Sequence, residues 1–321
     1  MLRGLLVTAA ICLLAVPAVA QQQEQTCSVD FLNGRVEGTP DGIVLIHDPF
    51  IVTCDDGAII SANSGRLNQV TRVVYLIGDV RFEDPERQLT ANEATYDANA
   101  AHLIARGQVV YTDKVDGSVL RGPELEYFRA TEQRPLARMS ATRRPTLTLI
   151  SQSRDGSSQS ILLTSDQITM EGEDELSAFG AVVITRSDFT AWSEEARHNT
   201  ATGSLELRQN ARIVSQDSEL TGEVIQARLV NNALEHVRAR NAAELRGEDL
   251  TVTADDLQMF FADEKLQRAV AVGGGEGEKG FAVASSPGFR MVADSLDATF
   301  ADEVLTEVHA IGRARAESVD T

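Results

Sequence analysis

Carboxylate pairs are the residues of this chain whose types and spacing could do chemistry, and that chemistry would be acid–base cleavage of a glycosidic bond. Asp255-Asp256 and Glu194-Glu195 are the clearest pairs. Such a pair is catalytic only when its surroundings separate the two pKa values. Both pairs adjoin predicted turns or corners, where the carboxylates are solvated. We therefore expect no enzyme, and a β-solenoid carbohydrate-active enzyme is the less favoured alternative.

The histidines and the glycine-rich run do not form a recognisable ligand site. The histidines are scattered, and Glu194 with His198 lacks the second histidine of a zinc motif. The run GGGEGEKG at 273–280 lacks the Lys-Ser/Thr ending of a phosphate-binding loop, so we expect a flexible hairpin there. The sequence therefore predicts neither a metal site nor a cofactor.

The first twenty residues have the pattern of a secretory signal peptide. Arg3 precedes an apolar run from Leu5 to Val16, and Ala18-Val19-Ala20 satisfies the small-x-small rule for cleavage. The apolar run is shorter than the roughly 20 residues that cross a bilayer. We expect an exported protein cleaved after Ala20, with an uncleaved membrane anchor as the alternative.

Removal of the signal peptide leaves two cysteines, Cys27 and Cys54. In an oxidising compartment such a pair favours a disulfide over a metal or redox site. Closing this loop would stabilise the protein by about 3 kcal/mol. We expect a Cys27–Cys54 disulfide that fastens the N-terminal segment to the body, and two unpaired thiols are the alternative.

The chain is strongly acidic, with a formal net charge of −19. The acidic residues are spread along the sequence and do not form a tail, which is typical of a solvated surface. Nucleic acid is disfavoured as a partner, because phosphates require lysine and arginine.

A period-two alternation of apolar and polar residues recurs along the chain, and it indicates strands with one buried face. The alternating positions are Leu76, Gly78, Val80 and Phe82; Leu103, Ala105, Gly107, Val109 and Tyr111; Leu176, Ala178, Gly180, Val182 and Ile184; Val237, Ala239 and Asn241; and Val308, Ala310 and Gly312. Small residues on this inner face would leave room for hydrocarbon, or would let two walls close into a dry core.

A second pattern precedes each of these strands: apolar, x, small, x, x, apolar, x, apolar. Leu89, Ala91, Ala94 and Tyr96 are one example. Its three-residue step interrupts the alternation, which in a strand indicates a bulge or corner. The units recur about every 30 residues and cannot bury their apolar faces alone, so we expect them to stack.

One polar break interrupts the repeats. The Ser-rich segment 151–160 could join two lobes, at 21–150 and 161–321, or could be a long loop on one continuous stack. We favour two lobes.

The run YLIGDVRFED followed by LTANEATYDANAAHLIARGQVVY resembles the repeat of OstA-like proteins, the LptA-like family of periplasmic lipopolysaccharide transport. The resemblance extends over roughly 56–316. Its signature is carried by Leu89, Ala91, Tyr96, Asp97, Leu103, Ala105, Gly107 and Val109. It implies an all-β fold, an open β-jellyroll in which antiparallel strands stack into a V-shaped trough.

The resemblance also implies a function. Acyl chains of lipopolysaccharide, or of a related envelope lipid, would lie in the trough. We expect the lining to be Leu76, Val80, Phe82, Leu103, Ala105, Val109, Tyr111, Leu176, Ala178, Val182, Ile184, Val237, Ala239, Val308 and Ala310. Edge strands, expected at 43–53 and 306–318, would dock end to end with other jellyrolls of the transport machine or with further copies. A scaffold of the cell envelope without a ligand is the alternative.

Overall fold

The computed structural model of the chain describes residues 27–29, 34–40, 42–54, 57–152, 158–230, 233–263, 265–274, 280–301 and 304–318. The predicted signal peptide and its cleavage after Ala20 lie outside these residues.

In the described part of the chain, 26 strands form one hydrogen-bonded sheet. The first nine are β1 Cys27–Val29, β2 Gly34–Thr39, β3 Gly42–His47, β4 Phe50–Cys54, β5 Ile59–Ala62, β6 Ser64–Asn68, β7 Val73–Glu83, β8 Arg87–Asp97 and β9 His102–Asp113. The next nine are β10 Val119–Phe128, β11 Arg138–Thr142, β12 Thr146–Gln152, β13 Ser158–Thr164, β14 Gln167–Glu171, β15 Glu175–Thr185, β16 Phe189–Asn199, β17 Ser204–Ser215 and β18 Glu219–Val230. The last eight are β19 Ala233–Arg246, β20 Thr251–Ala262, β21 Lys265–Val272, β22 Ala282–Ser286, β23 Phe289–Ala293, β24 Ser295–Ala301, β25 Val304–Ile311 and β26 Arg315–Ser318.

Long strands bend in the middle, so that each one contributes to two walls of a trough. In β7, the segment 74–77 pairs with β6 while 81–83 pairs with β5. The pairing between β7 and β8 likewise skips from Ile77 to Val80. We call the wall that contains 73–77, 93–97 and 102–106 the first wall. The wall that contains 80–83, 87–91 and 109–113 is the second wall.

The bend is a pair of residues with left-handed backbone. Gly107 (φ 74°) and Gln108 (φ 51°) form it in β9. The same conformation recurs at Gly78-Asp79, Arg143-Arg144, Gly180-Ala181, Gln209-Asn210, Asn241-Ala242 and Gly312-Arg313. Because a side chain disfavours this conformation, glycine is the residue that enters it most readily.

A repeated hydrogen bond fixes three of these corners. The backbone N–H of Asn63 donates to the carbonyl of Gly78 at 2.8 Å. Asp166 N–H donates in the same way to Gly180 O, and Asp294 N–H to Gly312 O, each at 2.9 Å. One geometry therefore serves corners near both ends and in the middle of the stack.

The all-β, V-shaped stack is confirmed, and the glycines of the alternating pattern need a correction. Gly78, Gly107, Gly180 and Gly312 are not small residues of the inner face, because the strand turns at them. The inward-facing residues on the two sides of such a bend remain an even number of positions apart, so the period-two pattern continues through the bend without a visible break.

One further prediction is wrong. The N-terminal edge is not at 43–53, because β2 pairs with β3 and β1 pairs with β4. The hairpin predicted at 273–280 lies mostly outside the described residues. Of the strands that flank it, β21 pairs with β20 and β24, and β22 pairs with β20 and β23. At the C-terminal end, β25 and β26 each pair with one described strand.

The Ser-rich segment connects two strands that pair with each other. Strands β12 and β13 are antiparallel in register from Thr146 opposite Thr164 to Gln152 opposite Ser158. Hydrogen bonding also joins β11 to β14 and β13 to β15. The division into lobes at 21–150 and 161–321 stays a prediction.

Gly107→Val tests the corner. A Cβ at this position would lie 2.7 Å from Asn92 Nδ2, on a backbone that valine disfavours. We expect the free energy of unfolding to fall by about 2 kcal/mol or more, measured by urea denaturation. Gly38→Val is the matched control, since nothing lies within 4 Å of its added Cβ. Equal destabilisation by both variants would contradict the role of the corner.

Candidate functional site

The inner face of the trough is graded from the corner outwards. Residues two positions from a corner are buried, as Ala105 and Val109 show with 0% and 2% exposure. The other predicted lining residues buried within the chain are Leu76, Val80, Ala178, Val182, Ile184, Val237 and Ala239. The apex of the trough is therefore closed by contact between the two walls.

Four positions from a corner the side chains are larger, and most of the predicted lining residues there are half-buried; Ile184 and Val237 are the buried exceptions. Leu103 and Tyr111 are the pair in β9, and Phe82 and Leu176 take equivalent places. Val308 and Ala310, in the last long strand, are also half-buried. These side chains pack on the apex and form an apolar rim that we call the mouth.

Strands β11 and β12 contribute a part of this surface that the repeat signature does not predict. Strands β11 and β12 lack the repeat signature, yet Met139, Ala141 and Leu147 are buried in the same core. Leu149 and Ile161 join the half-buried positions. The period-two alternation within 138–149 is the signal that could have found them.

Burial at the mouth changes the acidity of one side chain. Loss of solvent raises the pKa of the Tyr111 hydroxyl from 10.0 to about 12, against the opposing effect of the Arg87 charge. Tyr111 lies opposite Leu89 in β8 and Leu120 in β10. The mouth is thus apolar even where it carries a hydroxyl group.

The outer face of the first wall has the opposite character, because ion pairs cross its strands. Arg268 donates to both carboxylate oxygens of Asp297, at 2.8 and 2.6 Å, and this lowers the pKa of Asp297. Arg106 lies 3.6 Å from Glu124 across β9 and β10. Charge is therefore placed on the side of the sheet that faces away from the trough.

Members of the two carboxylate pairs, which the sequence predicts to be non-catalytic, have individual contacts in the structure. Glu194 accepts a hydrogen bond from Ala181 N–H at 3.3 Å, whereas Glu195 accepts one from Arg197 Nε at 2.6 Å. Asp256 lies 2.9 Å from Arg238 Nε. Within the described residues, no three His, Cys, Asp or Glu side chains are grouped so that they could hold a metal ion.

At the N-terminal end, β1 pairs with β4, and this pairing is consistent with the predicted disulfide. Cys27 and Cys54 are Cα partners in the pairing of β1 with β4. Cys54 is disulfide-bonded. The identity of its partner as Cys27 stays a prediction, which this register favours.

Two further features lie away from the trough. A hollow of about 400 Å³ is lined by Val44, Ile46, Tyr75 and Ile77 on the outer face of the first wall. It lies on the opposite side of the sheet from the mouth. In the residues that the structure describes, no helix has the length and apolar character needed to cross a membrane.

The part of the chain that contains several of these corners matches the model of a known protein family. The family model described as "LptA/(LptD N-terminal domain) LPS transport protein" matches residues 59–233, more than half of the chain. The protein belongs to this family. The matched region begins at β5 and includes the corners at Gly78, Gly107 and Gly180, and β19 to β26 continue the same pairing beyond it.

Comparison with other proteins adds little to the family match. No curated protein matches the chain. Among solved structures the chain is similar to LptH of Pseudomonas aeruginosa, the "LptA homologous periplasmic component of the conserved lipopolysaccharide transport device". The identity is 12% over 48% of this chain and 81% of that chain, with a TM-score of 0.26. So low a score carries no weight in assigning the fold, which rests on strand pairing and on the family.

Tyr111→Phe tests the apolar mouth. The unfolded chain loses the phenolic proton near pH 10, whereas folded Tyr111 keeps it up to about pH 12. Stability that is present below pH 10 is therefore lost as the pH rises through this window. We expect Tyr111→Phe to lose less stability over the window than the parent, measured as urea midpoints.

Tyr75→Phe is the control for this experiment, because it removes the same group from a side chain that is half exposed on the outer face. An equal gain in alkaline stability from both variants would contradict selective burial at the mouth.

Proposed function

We propose that the protein carries lipopolysaccharide through the periplasm, with its acyl chains held at the mouth of the trough and its sugars in solvent. One observation carries the proposal: large, half-buried apolar side chains line both rims of the stack. Phe82 and Tyr111 belong to the second wall, and Leu103 and Leu176 to the first. Each methylene that such a surface removes from water contributes about 0.8 kcal/mol.

The closed apex defines how lipid would enter. Ala105 and Ala239 have no exposed surface. A chain that reached the apex would therefore have to part the walls, whereas a chain at the mouth needs only side-chain movement. The residues proposed as direct lipid contacts are accordingly the half-buried ones, and Val109, Val182 and Ala239 support them from below.

The distribution of charge fits a lipid with an anionic head group. Ion pairs such as Arg268–Asp297 occupy the outer face of the first wall, and the inner face is apolar. An acidic protein with a formal charge of −19 repels phosphate groups, so that the head group would project away from the surface. A non-enzymatic role is favoured by the structural contacts that hold Glu194, Glu195 and Asp256.

End-to-end docking is proposed to use the terminal strands of both walls. Strand β25 ends the first wall and β26 ends the second, while β2 and β1 end the same two walls at the other terminus. Unpaired strand edges readily accept a further strand. The partners would be jellyrolls of the transport machine or further copies of this chain.

Photo-crosslinking in the native host tests lipid binding. We expect benzoylphenylalanine at Phe82 or Tyr111 to form adducts with lipopolysaccharide, because it keeps an aromatic ring at these positions and its benzophenone group reacts with the C–H bonds of neighbouring acyl chains. The same residue at Thr112, which alternates to the outer face beside Tyr111, is the control. A folded, exported protein without adducts at either mouth position would favour the scaffold alternative.

Cysteine crosslinking tests end-to-end docking. Glu37 in β2 and Ile311 in β25 are both exposed on the outer face, at opposite ends of the first wall. We expect a chain with both Glu37→Cys and Ile311→Cys to form a ladder of covalent oligomers, whereas a mixture of the single variants stops at dimers. Homodimers of each single variant without mixed dimers would contradict head-to-tail docking.

A further inference from the structure

The outer face of the second wall contains a long stretch without carboxylates. Two rows of residues cross eight neighbouring strands, and successive members are Cα partners. One row is Thr90, Val110, Arg121, Thr146, Thr164, Val183, Trp192 and Arg212, and the other is Gln88, Thr112, Val119, Thr148, Leu162, Thr185, Thr190 and Val214. We call these sixteen positions the neutral face because they hold no carboxylate; Arg121 and Arg212 are their two charged residues.

The neutral face is exceptional in this protein. The chain has 48 acidic residues, yet the face holds none and is bounded by Glu83 in β7 and Glu219 in β18. The outer face of the first wall carries Glu93, Glu124 and Glu195 on three of the same strands. Solvation alone does not explain why one outer face carries carboxylates and the other does not.

The centre of the neutral face exposes aliphatic side chains. Leu162 is 42% exposed, and Ile150, diagonal to it on β12, is 41% exposed. Thr148 lies directly beside Leu162 as its Cα partner. Towards one boundary, the guanidinium of Arg212 covers Trp192 at 4.9 Å and forms an ion pair with Glu219 at 2.6 Å. The apolar contact surface is therefore concentrated at β12 and β13.

We propose that the neutral face binds a second copy of this chain, so that two troughs lie side by side. Two molecules with a formal charge of −19 repel each other. A two-fold axis through β12 and β13 brings only uncharged residues of the two rows together at its centre, and carboxylates directly opposite one another are avoided. Two sheets packed in this way lie about 10 Å apart, as in a β-sandwich.

The contact area that the neutral face can offer limits the affinity of the two copies for each other. Twist rotates neighbouring strands by about 20°, so roughly five central strands can touch a flat partner. At about 4.8 Å per strand, the contact covers on the order of 500 Å² on each copy. An interface of this size is at the low end for specific complexes, so the dimer is weak and depends on concentration. It is distinct from end-to-end docking, which uses β1, β2, β25 and β26.

A cysteine at the centre of the face tests the proposal on the full mature protein. Leu162→Cys lies close to the proposed two-fold axis, so two copies of it meet across the interface. We expect a short bismaleimide to give covalent dimers and no larger species. Thr169→Cys, which points outwards from β14 on the first wall, is the matched control and should remain monomeric. Monomeric Leu162→Cys across the concentration range would overturn the proposal.

Sedimentation velocity gives a second readout without cysteines. We expect Leu162→Glu to weaken dimerisation by about tenfold or more, because it places two carboxylates opposite each other. Thr169→Glu is the control. Added salt should strengthen the parent dimer, since it screens the repulsion between acidic molecules. A dimer that salt dissociates, or that Leu162→Glu leaves unchanged, would place the contact elsewhere.

Discussion

The corner is the constraint on which the trough depends. A strand of about eleven residues can belong to two walls only if its backbone turns without losing the pairing on either side. The left-handed pair at Gly107-Gln108 makes that turn in β9. At the equivalent corner in β7, the N–H of Asn63 donates to the carbonyl of Gly78, which the turn removes from the hydrogen-bond ladder. The same hydrogen bond recurs at Gly180 and Gly312, so one local geometry bends the strands at several points along the stack.

The gradient of side-chain size follows from the corner. Close to it the two walls approach one another, and only residues such as Ala105 and Ala178 fit beside larger neighbours such as Val109 and Val182. Further out the walls diverge, and Leu103 or Tyr111 can no longer reach the opposite wall completely. A packed apex and an unfilled rim are therefore products of the same geometry. The first contributes stability, and the second supplies the apolar surface on which the proposed lipid binding rests.

The sequence predicted what depends on local alternation and missed what depends on strand partners. Alternation along 103–111 was enough to predict which side chains face inwards. It could not show that Gly107 is the bend itself, because a bend between Ala105 and Val109 leaves their spacing unchanged. The edge at 43–53 was misplaced for a related reason, since a sequence of exposed residues such as β2 gives no sign that it covers β3. The difference in charge between the two outer faces could not be predicted either. The alternation distinguishes inward-facing from outward-facing residues, but it does not compare the residues of one wall with those of the other.

The difference between the two outer faces has a physical consequence for an acidic protein. A jellyroll has two outer faces that are equally open to water, so solubility alone would distribute carboxylates over both. In this protein Glu124 and Glu195 belong to ion-paired rows on the first wall, whereas Thr148 and Leu162 lie amid uncharged neighbours on the second. Charge removed from one face raises its tendency to associate, and charge on the other face limits which association is possible. Under the proposed lateral pairing through the second wall, segregation of this kind leaves both ends of the trough available for the proposed end-to-end docking.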